Sequence, residues 1–208
     1  IHTSPVTHPL LKDAASRMGA IALRNSATIG GNIGNASPKG DMPQPLILLD
    51  AEVVLQSVDG ERRIKVDDFI IKTKVTAIHD DELITKVVIP PQTFTHIFFR
   101  KIGMRRSNAI SKLTLSAAAN IQDGVVVDFR ASSGAAGPKV ERSRQVESLL
   151  IGHKVEELPE LKGAFLDAWC NEVIKPHAMP EYRRNATRRM LEYFIDALVA
   201  GHPEGRVE

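Results

Sequence analysis

Arg24-Asn25-Ser26-Ala27-Thr28-Ile29-Gly30-Gly31-Asn32-Ile33-Gly34-Asn35-Ala36-Ser37-Pro38-Lys39-Gly40-Asp41 sets four glycines, three asparagines and three hydroxyl side chains between two apolar segments. A connecting loop needs only a few turn residues. Gly30-Gly31 lacks Cβ at two successive positions, so the chain can take positive φ there and let a ligand reach the backbone. Successive N–H groups turned inward would form a nest for an anion such as a pyrophosphate. Thr28, Asn32, Asn35 and Ser37 add short-armed donors and acceptors, and Asp41, the one acid of the stretch, only accepts when ionised. On these residues alone two readings stand: a tight turn with polar neighbours, or a loop that holds a ligand with phosphate at one end and a hydrogen-bond donor at the other.

The chain around it has 208 residues, enough for one large domain or two small ones with a proper core. Its 43% hydrophobic and 25% charged residues are those of an ordinary globular protein. Lys and Arg number 27 against 25 Asp and Glu, a balance that points to neither nucleic acid nor an anionic membrane. A single cysteine, Cys170, excludes an intrachain disulfide and a cysteine-ligated cluster within this chain, and fits a reducing, cytoplasmic setting. No apolar run approaches the ~20 residues of a membrane span, and the N-terminus has no signal-peptide core. The first residue is Ile1 rather than methionine, as in a fragment, a processed chain or one from which a disordered front end is missing.

Residues 9–18 read as a helix stopped by Gly19. Residues 43–49 read as a second helix, with Asp41 as N-cap and Pro43 in the first turn. Strands are expected at 51–58 and 62–66 around an Asp59-Gly60 turn, and at 82–89. Pro90-Pro91 ends that strand and marks a domain boundary, giving units 1–91 and 92–208. Beyond it, strands at 96–101, 110–121 and 125–132, the last two joined by Asp123-Gly124, precede three helices. The first helix covers 140–151. The second carries Leu161, Phe165, Ala168, Trp169 and Val173. The third covers 181–200, with Tyr182, Ala186, Met190, Leu191, Phe194 and Leu198 inward and Gly201 closing it. The fold class is α+β, its second unit a three-stranded antiparallel sheet packed by helices on one face.

No dinucleotide fingerprint, phosphate loop or nucleophile elbow occurs. The histidines (His2, His8, His79, His96, His153, His177, His202) form no His-x-x-x-His pair, and only His79 has neighbouring acids, Asp80 and Asp81, so no metal site is expected. No catalytic residue can be assigned. One other polar cluster remains, Lys101-Ile102-Gly103-Met104-Arg105-Arg106-Ser107-Asn108. It reads either as a solvated strand end or as a cation placed to meet an anionic or electron-rich ring edge. Arg183-Arg184 and Arg188-Arg189 read as a charged outer helix face, since no interleaved aromatics suggest a nucleic-acid grip.

Thr28-Ile29-Gly30-Gly31-Asn32, then Asn35-Ala36-Ser37-Pro38 and Asp41, resembles the second flavin motif of the FAD-binding medium subunits of molybdenum hydroxylases, the xanthine dehydrogenase and carbon monoxide dehydrogenase group. The resemblance continues through Asp81-Glu82-Leu83-Ile84, Ile89-Pro90, Lys101 with Arg105-Arg106, and Glu181-Tyr182-Arg183-Arg184. It implies part of a vanillyl-alcohol-oxidase-like FAD-binding domain (1–91), followed by a domain like the CO dehydrogenase flavoprotein C-terminal one (92–208), with a three-stranded antiparallel sheet and a helical bundle. It implies that Thr28, Ile29, Gly30, Gly31 and Asn32 hold the FAD pyrophosphate and ribityl chain and that Ser37 belongs to the same motif. Asn35 and Asp41 would approach the flavin end, Asp41 accepting from the ring N3–H. Ile84 would pack on ring or adenine, and Lys101 would place a positive charge at the flavin's oxygen edge, raising its reduction potential.

The implied activity is that of an FAD-dependent oxidoreductase subunit. It passes electrons from iron–sulfur clusters through FAD to NAD or another acceptor, with an iron–sulfur subunit and a molybdenum cofactor subunit as partners, and it is compatible with a homo-oligomer. Two departures accompany the resemblance. Ala109 stands where the family commonly has an acid, and the family's first FAD lobe would end before Ile1, so this chain alone is expected to bind FAD weakly or not at all. Two other readings remain: an interaction module that keeps the scaffold without FAD, and a phosphate- or nucleotide-binding domain of unrelated fold.

Overall fold

The computed structural model describes residues 1, 3–105, 108–176 and 178–202. Four short helices open the chain: α1 (Pro9–Ser16), α2 (Ile21–Ser26), α3 (Ile29–Gly34) and α4 (Pro43–Leu48). Strands β1 (Glu52–Gln56) and β2 (Glu61–Lys65), the short helix α5 (Val66–Phe69), and strands β3 (Ile70–Lys72), β4 (Val75–Thr76) and β5 (Leu83–Val88) follow. Then come the long strands β6 (His96–Gly103), β7 (Ser111–Gln122) and β8 (Val125–Gly134), and helices α6 (Arg144–Glu147), α7 (Leu158–Glu172) and α8 (Pro180–Val199). No helix among the described residues is long and apolar enough to cross a membrane.

The strands form three antiparallel sheets, ordered β2-β1-β5, β3-β4 and β6-β7-β8. The β7–β8 hairpin turns at Asp123 (φ 50) and Gly124 (φ 75). Two successive positive φ values suit the right-handed twist of the flanking strands, which is why Asp-Gly marks such a hairpin. The β3–β4 pair has no counterpart among the sequence expectations, being too short for alternation to show.

β7 is buried along most of its length on both faces, and this decides the architecture. Leu113, Leu115, Ala117 and Ala119 join Phe129, Phe165, Trp169 and Phe194 in the core under α7 and α8. Between them, Ala118 belongs with Leu46 and Leu10 to a second core under α4 and α1. The helices of the second unit thus lie on one face of its sheet, as expected, and the other face is covered by the N-terminal half of the chain. Buried Gln44 of α4 donates from Nε2 to Thr114 Oγ1 (2.6 Å) and to the Gly40 carbonyl (2.8 Å), and Ser132 Oγ donates to the Gln44 carbonyl (2.9 Å). A Cβ on Gly134 would lie 1.8 Å from Gln44 Nε2, so this close approach needs glycine.

Three expectations are corrected. The helix at 140–151 shrinks to α6, because Glu141 pairs with Ser133 as an extended bridge and Ser143 caps the helix, its Oγ accepting from Val146 N at 3.2 Å. Tyr182 is 41% exposed rather than inward. Asp41 does not cap α4; Met42 occupies that position without a side-chain cap, and the Asp41 carboxylate is engaged elsewhere.

Candidate functional site

The glycine stretch is helical where a nest of positive φ was expected. Thr28 is extended (φ −112, ψ 155) and caps α3, its Oγ1 accepting from Gly31 N at 3.0 Å. Gly30 and Gly31 follow as right-handed helix; neither is among the glycines at positive φ. The glycines leave the backbone bare instead. A Cβ on Gly30 or Gly34 would lie 3.5 or 3.4 Å from the Ile84 side chain, so α3 rests directly on β5. With Thr28 satisfying Gly31, the Ile29 and Gly30 amides have no intrahelical partner, the usual state of a first helical turn. That end of a helix favours an anion.

Asn32, on the same turn, donates from Nδ2 to Met18 Sδ at 3.6 Å, while its Oδ1 is buried with no hydrogen-bond partner among the described residues. An open cleft of about 390 Å³ lies beside this turn, lined by Met18, Ile21, Arg24, Thr28, Ile29 and Met42 among others. Asn32 Oδ1 also lies 3.3 Å from where a Gly40 Cβ would stand, which connects the turn to Asp41. Ser37 stays within the local loop, its Oγ accepting from Lys39 N at 3.3 Å, whereas Asn35 accepts from Lys74 Nζ of the β3–β4 turn.

Asp41 is 5% exposed and meets Lys101 across 60 residues of sequence, Nζ donating to Oδ2 at 2.6 Å. Ser111 Oγ donates to the other carboxylate oxygen at 2.8 Å, and Lys101 Nζ also reaches the Arg17 carbonyl at 3.2 Å. Lys101 thus ties the end of α1, the glycine stretch and the β6–β7 sheet together. Arg105 turns back on the Asn108 carbonyl (2.7 and 3.0 Å), while Arg106 and Ser107 lie outside the described residues. Sequence reasoning missed Ser111, for which a lone serine at a strand start gives no signal. It also missed Gln44, a polar residue between Pro43 and Pro45 in an otherwise apolar helix, which was legible.

Next to Ile84, Glu82 accepts from Arg62 at 2.5 and 2.7 Å and from His79 N. The Arg62 guanidinium and the His79 amide hold its carboxyl down to about 2. No group of three or more His, Cys, Asp or Glu among the described residues is placed to hold a metal ion.

Residues 3–92 match the FAD binding domain in molybdopterin dehydrogenase, and residues 98–198 match the CO dehydrogenase flavoprotein C-terminal domain. The glyceraldehyde dehydrogenase medium chain of Sulfolobus acidocaldarius is 30% identical over 72% of this chain and 53% of its own. The nicotinate dehydrogenase FAD-subunit of Eubacterium barkeri is 34% identical over 70% and 53%. The chain thus spans about half the length of these relatives. Among solved structures, carbon monoxide dehydrogenase from Hydrogenophaga pseudoflava superposes with a TM-score of 0.87 at 22% identity, covering 96% of this chain and 71% of that one. Quinoline 2-oxidoreductase from Pseudomonas putida 86 gives 0.85 at 20% identity, covering 97% and 71%. At such identities these structures establish the fold alone.

Proposed function

The chain belongs to the FAD-binding subunit family of the molybdenum hydroxylases, and from that membership we propose that it forms part of an oxidoreductase flavoprotein and holds FAD along α3. The observation that carries this is the pairing of opposite hydrogen-bonding needs on one turn. The Ile29 and Gly30 amides offer donors to an anion, while buried Asn32 Oδ1 lacks a donor. A pyrophosphate joined to a polyol supplies both an anion and hydroxyl donors, so the residues present fit FAD.

Bound FAD supplies electron transfer between one-electron iron–sulfur clusters and a terminal acceptor, NAD or another. Thr28 fixes the first turn of α3, Gly30 and Gly31 keep side chains off its open end, and Ile84 supports it from beneath. Asn35 and Ser37 shape the loop that brings Asp41 back to Lys101. Both Asp41 oxygens already accept, each with one further lone pair, so Asp41 orients the Lys101 ammonium and retains capacity for a ring N–H. In this reading residues 1–91 are one lobe of the FAD domain and 92–208 the C-terminal domain. The subunit works in the cytoplasm with iron–sulfur and molybdenum-cofactor subunits.

FAD titration of the flavoprotein carrying this chain, followed by flavin fluorescence, tests the assignment. Asn32→Leu is expected to weaken binding about tenfold, the worth of one hydrogen bond of ~1.4 kcal/mol, with the circular dichroism spectrum unchanged. Unaltered affinity would remove Asn32 from the site. Absence of FAD binding in the unsubstituted protein would favour a scaffold that has lost its cofactor.

A further inference from the structure

Among the described residues β6 is an edge strand of the third sheet, with β7 on its one paired side. Its alternate residues Phe98, Arg100 and Ile102 share a groove of about 680 Å³ with Tyr182, Arg189 and Met190 of α8. With Asn185, Ala186 and Tyr193 the helical contributors recur at positions three and four apart, so they form one stripe running beside the strand. Lys101, pointing to the opposite face, belongs to Asp41, so the groove is separate from the site above.

The charges here are of one sign. Arg100 and Arg189 are exposed and have no ion-pair or side-chain hydrogen-bond partner among the described residues, and Lys112 Nζ lies 6.0 Å from the Tyr182 ring centroid. Neighbouring cations are used up: Arg188 pairs with Asp167, and Arg183 donates to the Ala135 carbonyl. An unpaired strand edge is a template for another strand. A second copy of this chain would bring like charges together, and a neutral apolar segment would leave both guanidiniums unmatched. We propose that the β6 edge and the Tyr182–Arg189 stripe form a docking surface for an extended acidic segment of a partner protein. That segment adds a strand to β6, with alternate side chains in the groove and carboxylates on Arg100 and Arg189. Main-chain pairing supplies affinity and the alternate side chains supply specificity.

The probe is a fluorescein-labelled, end-blocked peptide of alternating Glu and Val, titrated into the full chain by anisotropy, with amide hydrogen exchange of β6 followed in parallel. Saturable binding is expected, weakening with salt and falling by about tenfold or more in the double variant Arg100→Glu/Arg189→Glu. Binding should slow exchange across β6 and be lost when the valines of the peptide are replaced by proline, which removes the N–H groups a strand must donate. The double variant's thermal melt shows that it is folded, both residues being at the surface. No saturable binding, binding that survives the charge reversal, unprotected β6 amides, or equal displacement of the peptide by a single-stranded oligonucleotide would each overturn the proposal.

Discussion

Two buried carboxylates sit where the halves of the chain meet, and they are held differently. Glu147, 2% exposed, receives three hydrogen bonds from Arg142 at 2.8–3.0 Å and a fourth from Ala131 N at 2.8 Å. The same guanidinium reaches the Ile47 and Leu48 carbonyls at the end of α4 and Asp50 Oδ1 at 3.3 Å. Arg130 adds to that cluster, bonding the Leu48 carbonyl, Asp50 and Gln92. Among the described residues Asp41 has Lys101 and Ser111 alone. A planar fork with fixed donors suits a permanent structural joint, whereas an ammonium on a flexible stem can share its donors with a ligand. Both pairs bind α4 and its approach to the third sheet, but only Asp41–Lys101 lies beside the glycine helix.

The widest separation between the two should come from deleting the cation of the structural pair. Arg142→Met leaves Glu147 buried without its partner and is expected to cost about 3–5 kcal/mol in denaturant unfolding. The double variant Arg142→Met/Glu147→Leu should recover most of that loss, because two apolar side chains replace two desolvated charges. A single-variant cost below about 1 kcal/mol, the range of an exposed pair, would dissolve the contrast. Gly134→Ala should come next. Its Cβ must displace Gln44 from between the Gly40 carbonyl and Thr114, for about 1–3 kcal/mol. Asp41→Asn keeps the shape and the Ser111 contact but leaves Lys101 with a neutral partner, for about 1–2 kcal/mol of stability. Its larger consequence should be on FAD binding, measured by the same fluorescence titration, where Arg142→Met has no direct effect.

What the sequence disclosed follows the range of each interaction. Hairpins were legible because Asp59-Gly60 and Asp123-Gly124 decide their turns locally. Helices α7 and α8 were legible from spaced apolar residues. The coverage of both faces of β7 was not, since Ser111, Thr114, Ser116 and Ala118 carry no hydrophobic stripe; they are buried because Gln44, Asp41 and α4 come to them from 70 residues away. For the glycine stretch, composition marked the place while the conformation depended on Thr28 capping α3 over Ile84, a contact made 54 residues on. Asp41 and Lys101 were each singled out for a ligand; that they find one another is a tertiary fact.

The smallest effect concerns a third carboxylate, Glu82, which separates burial from pairing. Arg62 and the His79 amide hold its pKa at about 2 against 4.5 for an unperturbed glutamate. Its folded pKa is depressed, so its contribution is complete above pH 4.5 and disappears as pH falls toward about 2. Glu147 runs the other way. Burial raises its pKa in spite of Arg142, so its contribution is greatest below 4.5 and declines as pH rises through the folded value. Arg62→Gln should therefore lower stability by a constant small amount above pH 4.5 and merge with the unsubstituted protein near pH 2, as read from urea unfolding across that range. Merging requires that Glu82 alone respond to Arg62. If instead the gap stays open at the acid end, the guanidinium is stabilising through the Ala77 carbonyl it also contacts at 2.6 Å, a bond that does not titrate. In that case the pair next to Ile84 is held by backbone capture, as α4 is held by Arg142, rather than by charge.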